Sequence, residues 1–398
     1  MGLRQTTGTG SRAPALSQHR FPSAWLQGRR LHAYQQALQV FNRWADQDEA
    51  WREQGKVDRA AWREAGNLGL LCRALPVEMG GQGGDFGDEA ALVLAQGHAG
   101  QSSFGGWQHS GVVAQLIWRH GSDSQKQRWL PKLASGEWVG ALAITEAGAG
   151  SDMRNIATRA TLEAHSWRLD GEKAYVANGQ HADLILVLAR TREGLGGNTL
   201  SLIGVEAHAC VGFERIRNLD TLGLEGQDTS QLRLAQAQCD AGNLLGGQEG
   251  QAFQQISDIL IQERLLISLM GVATMDLAFH QTVDHAKSRK TFGAALIRHQ
   301  HIRFQLAEAQ ASLMAAHAMV DAAVESHLQG QLTAERAAAI KFWVTDQQCR
   351  LIDDCLQLHG GKGYMRHSPI ARLYADARVQ RIYGGANEVM KELAARQL

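Results

Sequence analysis

One carboxylate, Glu263, lies in a mainly apolar stretch over residues 259–270. Ile267 and Met270 follow it by four and seven positions, so on an α-helix the three side chains share one face. Burial among apolar groups raises the pKa of a carboxyl group toward neutrality, which suits a base that removes a proton from carbon. The pattern also fits an ordinary helix charge, or one paired with Arg264, although adjacent helical side chains point about 100° apart. The spacing therefore gives a candidate general base and leaves the structural interpretation open.

A second stretch combines glycines with hydroxyl side chains. Residues 143–152 read Ala-Ile-Thr-Glu-Ala-Gly-Ala-Gly-Ser-Asp, so Thr145 and Ser151 flank two glycines directly after an apolar run. Such a loop presents backbone N–H groups and hydroxyls as hydrogen-bond donors, and the pyrimidine edge of a flavin is rich in acceptors. Taken alone, the pattern favours a glycine turn capped by hydroxyls.

Apolar periodicity divides the chain into regions that would position these groups. A flexible leader is expected over residues 1–24, followed by an N-terminal helical domain over 25–138. A middle β domain is expected over 139–246 and a C-terminal helical domain over 247–398. The expected fold class is therefore mainly α, with a small β-barrel or sandwich between helical domains, the last of them a four-helix arrangement.

Individual elements are predicted from the same periodicities. The middle region carries short apolar or alternating runs between turns, and the C-terminal region carries long helical patterns. Strands are predicted at 139–144, 172–178, 182–189, 200–205 and 232–234, and helices at 250–288, 301–328 and 333–358. The glycines of residues 80–84 lack the spacing of a dinucleotide-binding loop and are expected to connect two helices.

Composition excludes several classes of protein. The 398 residues include 40 Lys and Arg and 40 Asp and Glu, so no net field would attract nucleic acid or an anionic membrane. Five cysteines without a CxxC pair argue against a zinc site or a disulfide scaffold, and no metal is expected. No apolar run is long enough to span a bilayer. The first 45 residues contain six arginines and no acid, a composition that a mitochondrial transit peptide shares with a plain flexible leader.

Four segments together carry a family resemblance. Besides residues 143–152, they are Arg-Lys-Thr-Phe-Gly at 289–293, Gln-Leu-His-Gly-Gly-Lys-Gly at 357–363 and Arg-Ile-Tyr-Gly-Gly-Ala-Asn-Glu at 381–388. From about residue 30 to its end, the chain resembles the acyl-CoA dehydrogenases, flavoproteins that desaturate acyl thioesters in fatty acid metabolism. The resemblance implies FAD as the cofactor and the helical, β, helical domain order.

The resemblance also implies which residues contact FAD. Tyr175 matches an aromatic residue beside the flavin ring, and Arg289 matches an arginine that reaches the diphosphate of a neighbouring subunit's FAD. Ala177 and Ala386 stand where the family usually has hydroxyl residues, so two side-chain contacts are missing. The implied cofactor-binding residues are Thr145, Ser151, Tyr175, Ala177, Arg289, Phe292, Gln300, Gln357, Gly360, Gly361, Ala386, Asn387 and Glu388.

The catalytic base distinguishes branches of this family. Many members carry a catalytic glutamate where this chain has Gly384. A branch that includes long-chain and isovaleryl-type enzymes supplies it from a helix instead, in a context similar to residues 262–266. The resemblance implies that Glu263 removes the α-proton and that the Gly384 N–H, with a flavin ribityl hydroxyl, holds the thioester carbonyl. Ser151, Arg264 and Tyr383 are then expected to contact the substrate.

The expected reaction converts an acyl-CoA to its trans-2-enoyl-CoA. Electron-transfer flavoprotein is the acceptor that the resemblance implies, and a homotetramer or homodimer is the implied assembly. The location would be the cytoplasm in a bacterium or the mitochondrial matrix in a eukaryote. Three alternatives stay open from the sequence: a dehydrogenase of carrier-protein-bound acyl groups, a flavin monooxygenase or oxidase on the same fold, and a relative that has lost its cofactor.

Overall fold

The computed structural model describes residues 23–194 and 196–396, so the predicted leader lies almost wholly outside the described residues. The first region is helical, as predicted. Its two capping boxes, Asp85 with Asp88 and Ser122 with Gln125, begin α3 and α6. The helices are α1 (Arg29–Gln54), α2 (Arg59–Asn67), α3 (Phe86–His98), α4 (Gly106–Gln108), α5 (Gln115–His120) and α6 (Asp123–Ala134), with a π-helical segment, His109–Ala114, between α4 and α5.

The middle region is one seven-stranded sheet, bent into a half-barrel. Most strand pairs are antiparallel, whereas β4 runs parallel to β1 and, at one residue pair, to β2. Both faces of β4 and β5 are buried, which explains why apolar residues predominate in both strands. The strands are β1 (Gly140–Ala143), β2 (Arg159–Glu163), β3 (Ser166–Ala177), β4 (Leu184–Arg190), β5 (Leu200–Glu206), β6 (Phe213–Asn218) and β7 (Thr229–Asp240).

The C-terminal region is helical again, which confirms the predicted fold class. A short hairpin follows its first helix. The elements are α7 (Ala252–Ser288), β8 (Lys290–Thr291), β9 (Ala294–Ala295), α8 (Gln300–Leu328), α9 (Ala334–Gly363), α10 (Pro369–Arg378) and α11 (Asn387–Ala395). None of these helices, nor any other within the described ranges, is long and apolar enough to cross a bilayer.

The 37-residue helix α7 is central and packs against α3, α8 and α9. Its Asp276 is buried between His98 of α3 and His317 of α8, whose Nε2 atoms lie 3.1 and 2.7 Å from Asp276 Oδ2. The Tyr34 hydroxyl of α1 lies 2.8 Å from His98 Nδ1. This buried network fixes the position of α7, and with it Glu263, relative to three other helices.

A second buried network joins all three regions. Arg52 of α1 donates hydrogen bonds to Asp48, at 2.7 Å, and to Asp376 of α10, at 3.0 Å. The other carboxylate oxygen of Asp376 accepts a hydrogen bond from the backbone N–H of Leu224, in the middle region, at 2.6 Å. Because Arg52 and Asp376 are buried, this charged joint holds the segment after α10 against the rest of the chain.

Candidate active site

Glu263 and Gly384 meet in space. Gly384 lies between α10 and α11 and has φ +64°, in the left-handed region that disfavours side chains. A Cβ atom added at Gly384 would overlap Ile267 Cδ1 and would lie 3.9 Å from Glu263 Oε1. The space for a side chain at position 384 is therefore closed by Ile267, and the half-buried carboxylate of Glu263 stands beside it.

Arg264 does not pair with Glu263. Among the described residues the carboxylate of Glu263 forms no salt bridge, whereas Arg264 Nε donates to the backbone carbonyl of Gly384 at 3.3 Å. Arg264 is buried and fastens the glycine segment to α7. Of the structural alternatives left open by the sequence, an ion pair between Glu263 and Arg264 is therefore not formed.

Two electrostatic effects act on Glu263. Burial raises the pKa of its carboxyl group, and the positive charges of Arg264 and Lys341 oppose that rise. Lys341 of α9 was not found from the sequence. Its ammonium group donates to Gly385 O at 2.7 Å and to Asn387 Oδ1 at 3.0 Å, and burial lowers its pKa to about 7. The pKa of Glu263 is therefore raised, which is the direction that suits a general base.

Asn387, predicted to contact cofactor, has its side chain turned into the protein. It is buried, and its amide nitrogen lies within hydrogen-bond distance of Thr345 Oγ1 and Asp346 Oδ1, at 2.9 and 3.0 Å. Together with the bond from Lys341, these contacts position residues 385–387. Of its predicted neighbours, Ala386 is half-buried and Glu388 is exposed.

Tyr383 directly precedes Gly384 in the chain. Its ring centroid is 6.0 Å from that of Trp107 in α4, and both rings border a small internal cavity. Burial raises the pKa of the Tyr383 phenol, and the charge of Glu263 adds to the rise, so the hydroxyl stays protonated. The structure thus brings together four predicted residues: Glu263, Arg264, Tyr383 and Gly384.

The glycine and hydroxyl loop after β1 is anchored by an unpredicted ion pair. Lys173 Nζ of β3 donates to Glu146 Oε1 at 2.7 Å and to the carbonyl of Ile144 at 3.0 Å. Glu146 also accepts hydrogen bonds from the backbone and hydroxyl of Thr158. Burial lowers the pKa of Lys173 to about 8, so the ammonium group remains largely charged at neutral pH beside its carboxylate partner. The pair fixes the start of the loop.

The glycine and hydroxyl loop lies next to β3. Thr145 O accepts from Ala174 N at 2.9 Å, which places Thr145 beside Tyr175. Tyr175 is 66% exposed and adopts φ +58° at an irregularity in the pairing of β3 with β7. An exposed aromatic residue in this strained conformation is a mark of a ligand contact. Ser151 is exposed and Ala177 is half-buried.

The remaining predicted cofactor residues lie on the surface of the C-terminal region. Phe292, at the tip of the β8–β9 hairpin, is 100% exposed. The exposed members of this set are Arg289, Phe292, Gln300, Gln357, Gly360 and Gly361.

Three known family domains match most of the chain. The acyl-CoA dehydrogenase N-terminal, middle and C-terminal domains match residues 35–137, 141–237 and 250–398. The chain belongs to the acyl-CoA dehydrogenase family. Members of this family are FAD-dependent oxidoreductases acting on CH–CH bonds.

Individual relatives of this family cover most of the chain. The mitochondrial long-chain specific acyl-CoA dehydrogenase of Sus scrofa is 37% identical over 350 residues, covering 87% of this chain and 81% of the relative. The mitochondrial isovaleryl-CoA dehydrogenase of Pongo abelii is 29% identical over 344 residues, covering 85% and 80%. The crystal structure of an acyl-CoA dehydrogenase from Geobacillus kaustophilus superposes with a TM-score of 0.90 at 33% identity, covering 94% of this chain and 99% of that chain.

Proposed function

We propose that this acyl-CoA dehydrogenase desaturates an acyl-CoA at its α,β bond with Glu263 as the base. The observation that carries the proposal is the carboxylate of Glu263 standing 3.9 Å from the place where a side chain at Gly384 would begin. The chain thus supplies from α7 the group that many relatives supply from position 384.

The α-proton is transferred to the carboxylate of Glu263. Its raised pKa makes it a stronger base than an exposed glutamate, and its freedom from salt bridges to described residues leaves its oxygens available to substrate. Lys341 and Arg264 hold the glycine segment by its carbonyl groups, so that the two halves of the site keep their spacing. Their positive charges also oppose the rise in the pKa of Glu263 that burial causes.

The developing enolate oxygen is assigned to the backbone N–H of Gly384. Hydrogen bonding at this oxygen makes the α-proton acidic enough to remove. As the α C–H bond breaks, the α,β double bond forms and the β-hydrogen leaves with its electron pair. FAD, when bound, supplies the acceptor for that hydride at N5.

Several groups would hold FAD. Thr145, Ser151 and the backbone beside Ala177 face its pyrimidine edge in this proposal, and Tyr175 lies against the ring. The exposed positions of Arg289 and Gln357 suit contacts with the FAD of a neighbouring subunit. Phe292 and the glycines of α9 belong to the same surface, so a homotetramer or homodimer is proposed as the working form.

Electron-transfer flavoprotein is the proposed acceptor of the electrons. The proposed location follows the relatives, which include mitochondrial enzymes and a bacterial structure. It is the mitochondrial matrix for a eukaryotic source and the cytoplasm for a bacterial one. Neither assignment affects the chemistry at Glu263.

The test is an anaerobic titration of the FAD-loaded enzyme with a panel of acyl-CoAs, read at the flavin absorbance. The proposal expects bleaching by saturated acyl-CoAs and release of the trans-2-enoyl-CoA. If only acyl groups attached to a carrier protein bleach the flavin, the substrate is the carrier-bound acyl group and not acyl-CoA. A purified protein that takes up no FAD would refute it.

A further inference from the structure

A small cavity borders Tyr383. It has a volume of about 30 Å³, roughly the space of one water molecule, and is bordered by α3, α7, α9, α10 and the turn after α10. Most of its wall area is apolar, but several polar side chains line it. Five of its polar wall residues are Gln96, Gln101, Thr274, Gln348 and Gln380.

Three amide atoms in this wall have no hydrogen-bond partner among the described residues. They are Gln101 Nε2, Gln348 Oε1 and Gln380 Oε1. The three glutamines are 3%, 0% and 4% exposed, so bulk water does not satisfy them. Buried polar atoms are nearly always paired in folded proteins, and an unpaired group of this kind requires an explanation.

The two oxygens lie close to one point of α7. A Cβ atom added at Gly271 would be 3.6 Å from Gln380 Oε1 and 3.7 Å from Gln348 Oε1. The Gln348 amide nitrogen already donates to Thr274 Oγ1 at 2.8 Å, which fixes the orientation of that amide. Two acceptors are therefore aimed at the same small volume, and nothing in the described chain donates to either of them.

Residues of α7 line the cavity, and Glu263 lies on the same helix. Gly271 is two turns along α7 from Glu263, a rise of roughly 12 Å at 1.5 Å per residue. An extended chain advances about 1.2 Å per bond, so an acyl chain that runs along α7 would span this rise in roughly ten bonds. Tyr383 borders both the cavity and the site of Glu263, so an acyl chain reaching the cavity would pass Tyr383.

We propose that this cavity is the distal end of the acyl site and that it binds a hydroxyl group carried by the acyl chain near carbon 12. The inference rests on the proposed function. A hydroxyl donates one hydrogen bond and accepts others, so it can donate to Gln348 Oε1 or Gln380 Oε1 and accept from a donor such as Gln101 Nε2. A methyl end would leave the same amides unpaired, and this difference makes the site selective.

The small volume of the cavity limits what can enter it. At about 30 Å³ it cannot hold several carbons, so side chains must move when a chain enters. Met270, an unbranched and adaptable side chain in the wall, and the ring of Tyr383 are the groups placed to do so. The backbone around the glutamines, by contrast, belongs to helices and a helical turn.

The test compares dodecanoyl-CoA with 12-hydroxydodecanoyl-CoA on the FAD-loaded enzyme, by anaerobic flavin reduction. The ratio of rate to dissociation constant is expected to favour the hydroxylated thioester about tenfold or more. Gln348→Met and Gln380→Met keep the shape of the side chain and remove the amide. In each variant the preference for the hydroxylated thioester over dodecanoyl-CoA should therefore fall to one or below. Gln115→Met is the matched control, because Gln115 is another buried glutamine with an unpaired amide nitrogen, outside this cavity.

The outcomes separate this inference from the proposed function. Equal reduction by both thioesters in the wild type would overturn the inference alone, and would indicate that the cavity holds water. An equal change of the ratio in the Gln115 and Gln348 variants would also overturn it. No reduction by either thioester, with FAD bound, would overturn the proposed function and the inference with it. Flavin absorbance and thermal melting of each variant identify any that fail to fold.

Discussion

Replacing Gly384 with alanine tests why no side chain stands at that position. The left-handed backbone at Gly384 costs a residue with a Cβ about 1–2 kcal/mol. The new methyl group would also overlap Ile267, a buried side chain of α7, and relieving such an overlap costs about 1–3 kcal/mol more. Gly384→Ala should therefore lower the free energy of unfolding by about 2–5 kcal/mol, the sum of the two terms.

A second substitution separates these two costs. In an Ile267→Ala background the overlapping atoms are gone, so Gly384→Ala should cost only the backbone part, about 1–2 kcal/mol. The coupling between the two positions is then about 1–3 kcal/mol. Gly330→Ala is the matched control, because Gly330 has φ +70° and open space around the added atom, and it should also cost about 1–2 kcal/mol.

The assay is chemical denaturation of all five proteins at one saturating FAD concentration, because bound ligand shifts apparent stability. Flavin absorbance reports cofactor retention in the same samples. If Gly384→Ala costs the same with and without Ile267, the packing of Ile267 does not exclude a side chain. The reasoning that places the base on α7 would then lose its structural basis.

Three further results are expected. Lys341→Met removes a positive charge near Glu263, so the pKa of Glu263 should rise and the pH dependence of flavin reduction should move to higher pH; an unmoved profile would contradict this. Lys173→Met leaves the buried carboxylate of Glu146 unpaired and should cost about 3–5 kcal/mol, with weaker FAD uptake in a titration. Hydrogen bonds from two histidines outweigh burial and hold the pKa of Asp276 well below its ordinary value of about 3.9. The ionised Asp276 carboxylate stabilises the fold at pH values above about 3.9, and this stabilisation is lost as the pH falls toward the pKa of Asp276 in the folded protein. The loss in free energy of unfolding caused by Asp276→Asn, measured by denaturation, should therefore be large at neutral pH and smaller in acid.

The elements in which apolar residues recur at a clear helical or strand spacing were predicted from the sequence. Helix α7 shows apolar residues at helical spacing on the face of Glu263, and β4 and β5 are buried on both faces, so most of their residues are apolar. Strands β2 and β6 were missed because most of their residues are exposed and neither contains a long apolar run. Pairing of β2 with β3 and of β6 with β7, rather than burial of one face, makes them strands.

The candidate site was predicted in part. Glu263, Gly384 and the loop residues Thr145 and Ser151 carry local signals in the sequence, a lone carboxylate among apolar residues and hydroxyls beside glycines. Lys341 carries no such signal, because its partner Gly385 lies 44 residues away and is a backbone carbonyl. The ion pair of Glu146 with Lys173 also joins residues far apart in the chain, which only the folded sheet brings together.

The central claim is that Glu263, rather than a group at position 384, removes the proton. Its most direct test is anaerobic flavin reduction by an acyl-CoA in Glu263→Gln, with Glu392→Gln, an exposed position on α11, as the matched control. The amide has the shape of the carboxylate but cannot accept the proton, so the variant should bind FAD and acyl-CoA and leave the flavin oxidised, while the control bleaches. Reduction of the flavin in Glu263→Gln at the wild-type rate would contradict the account.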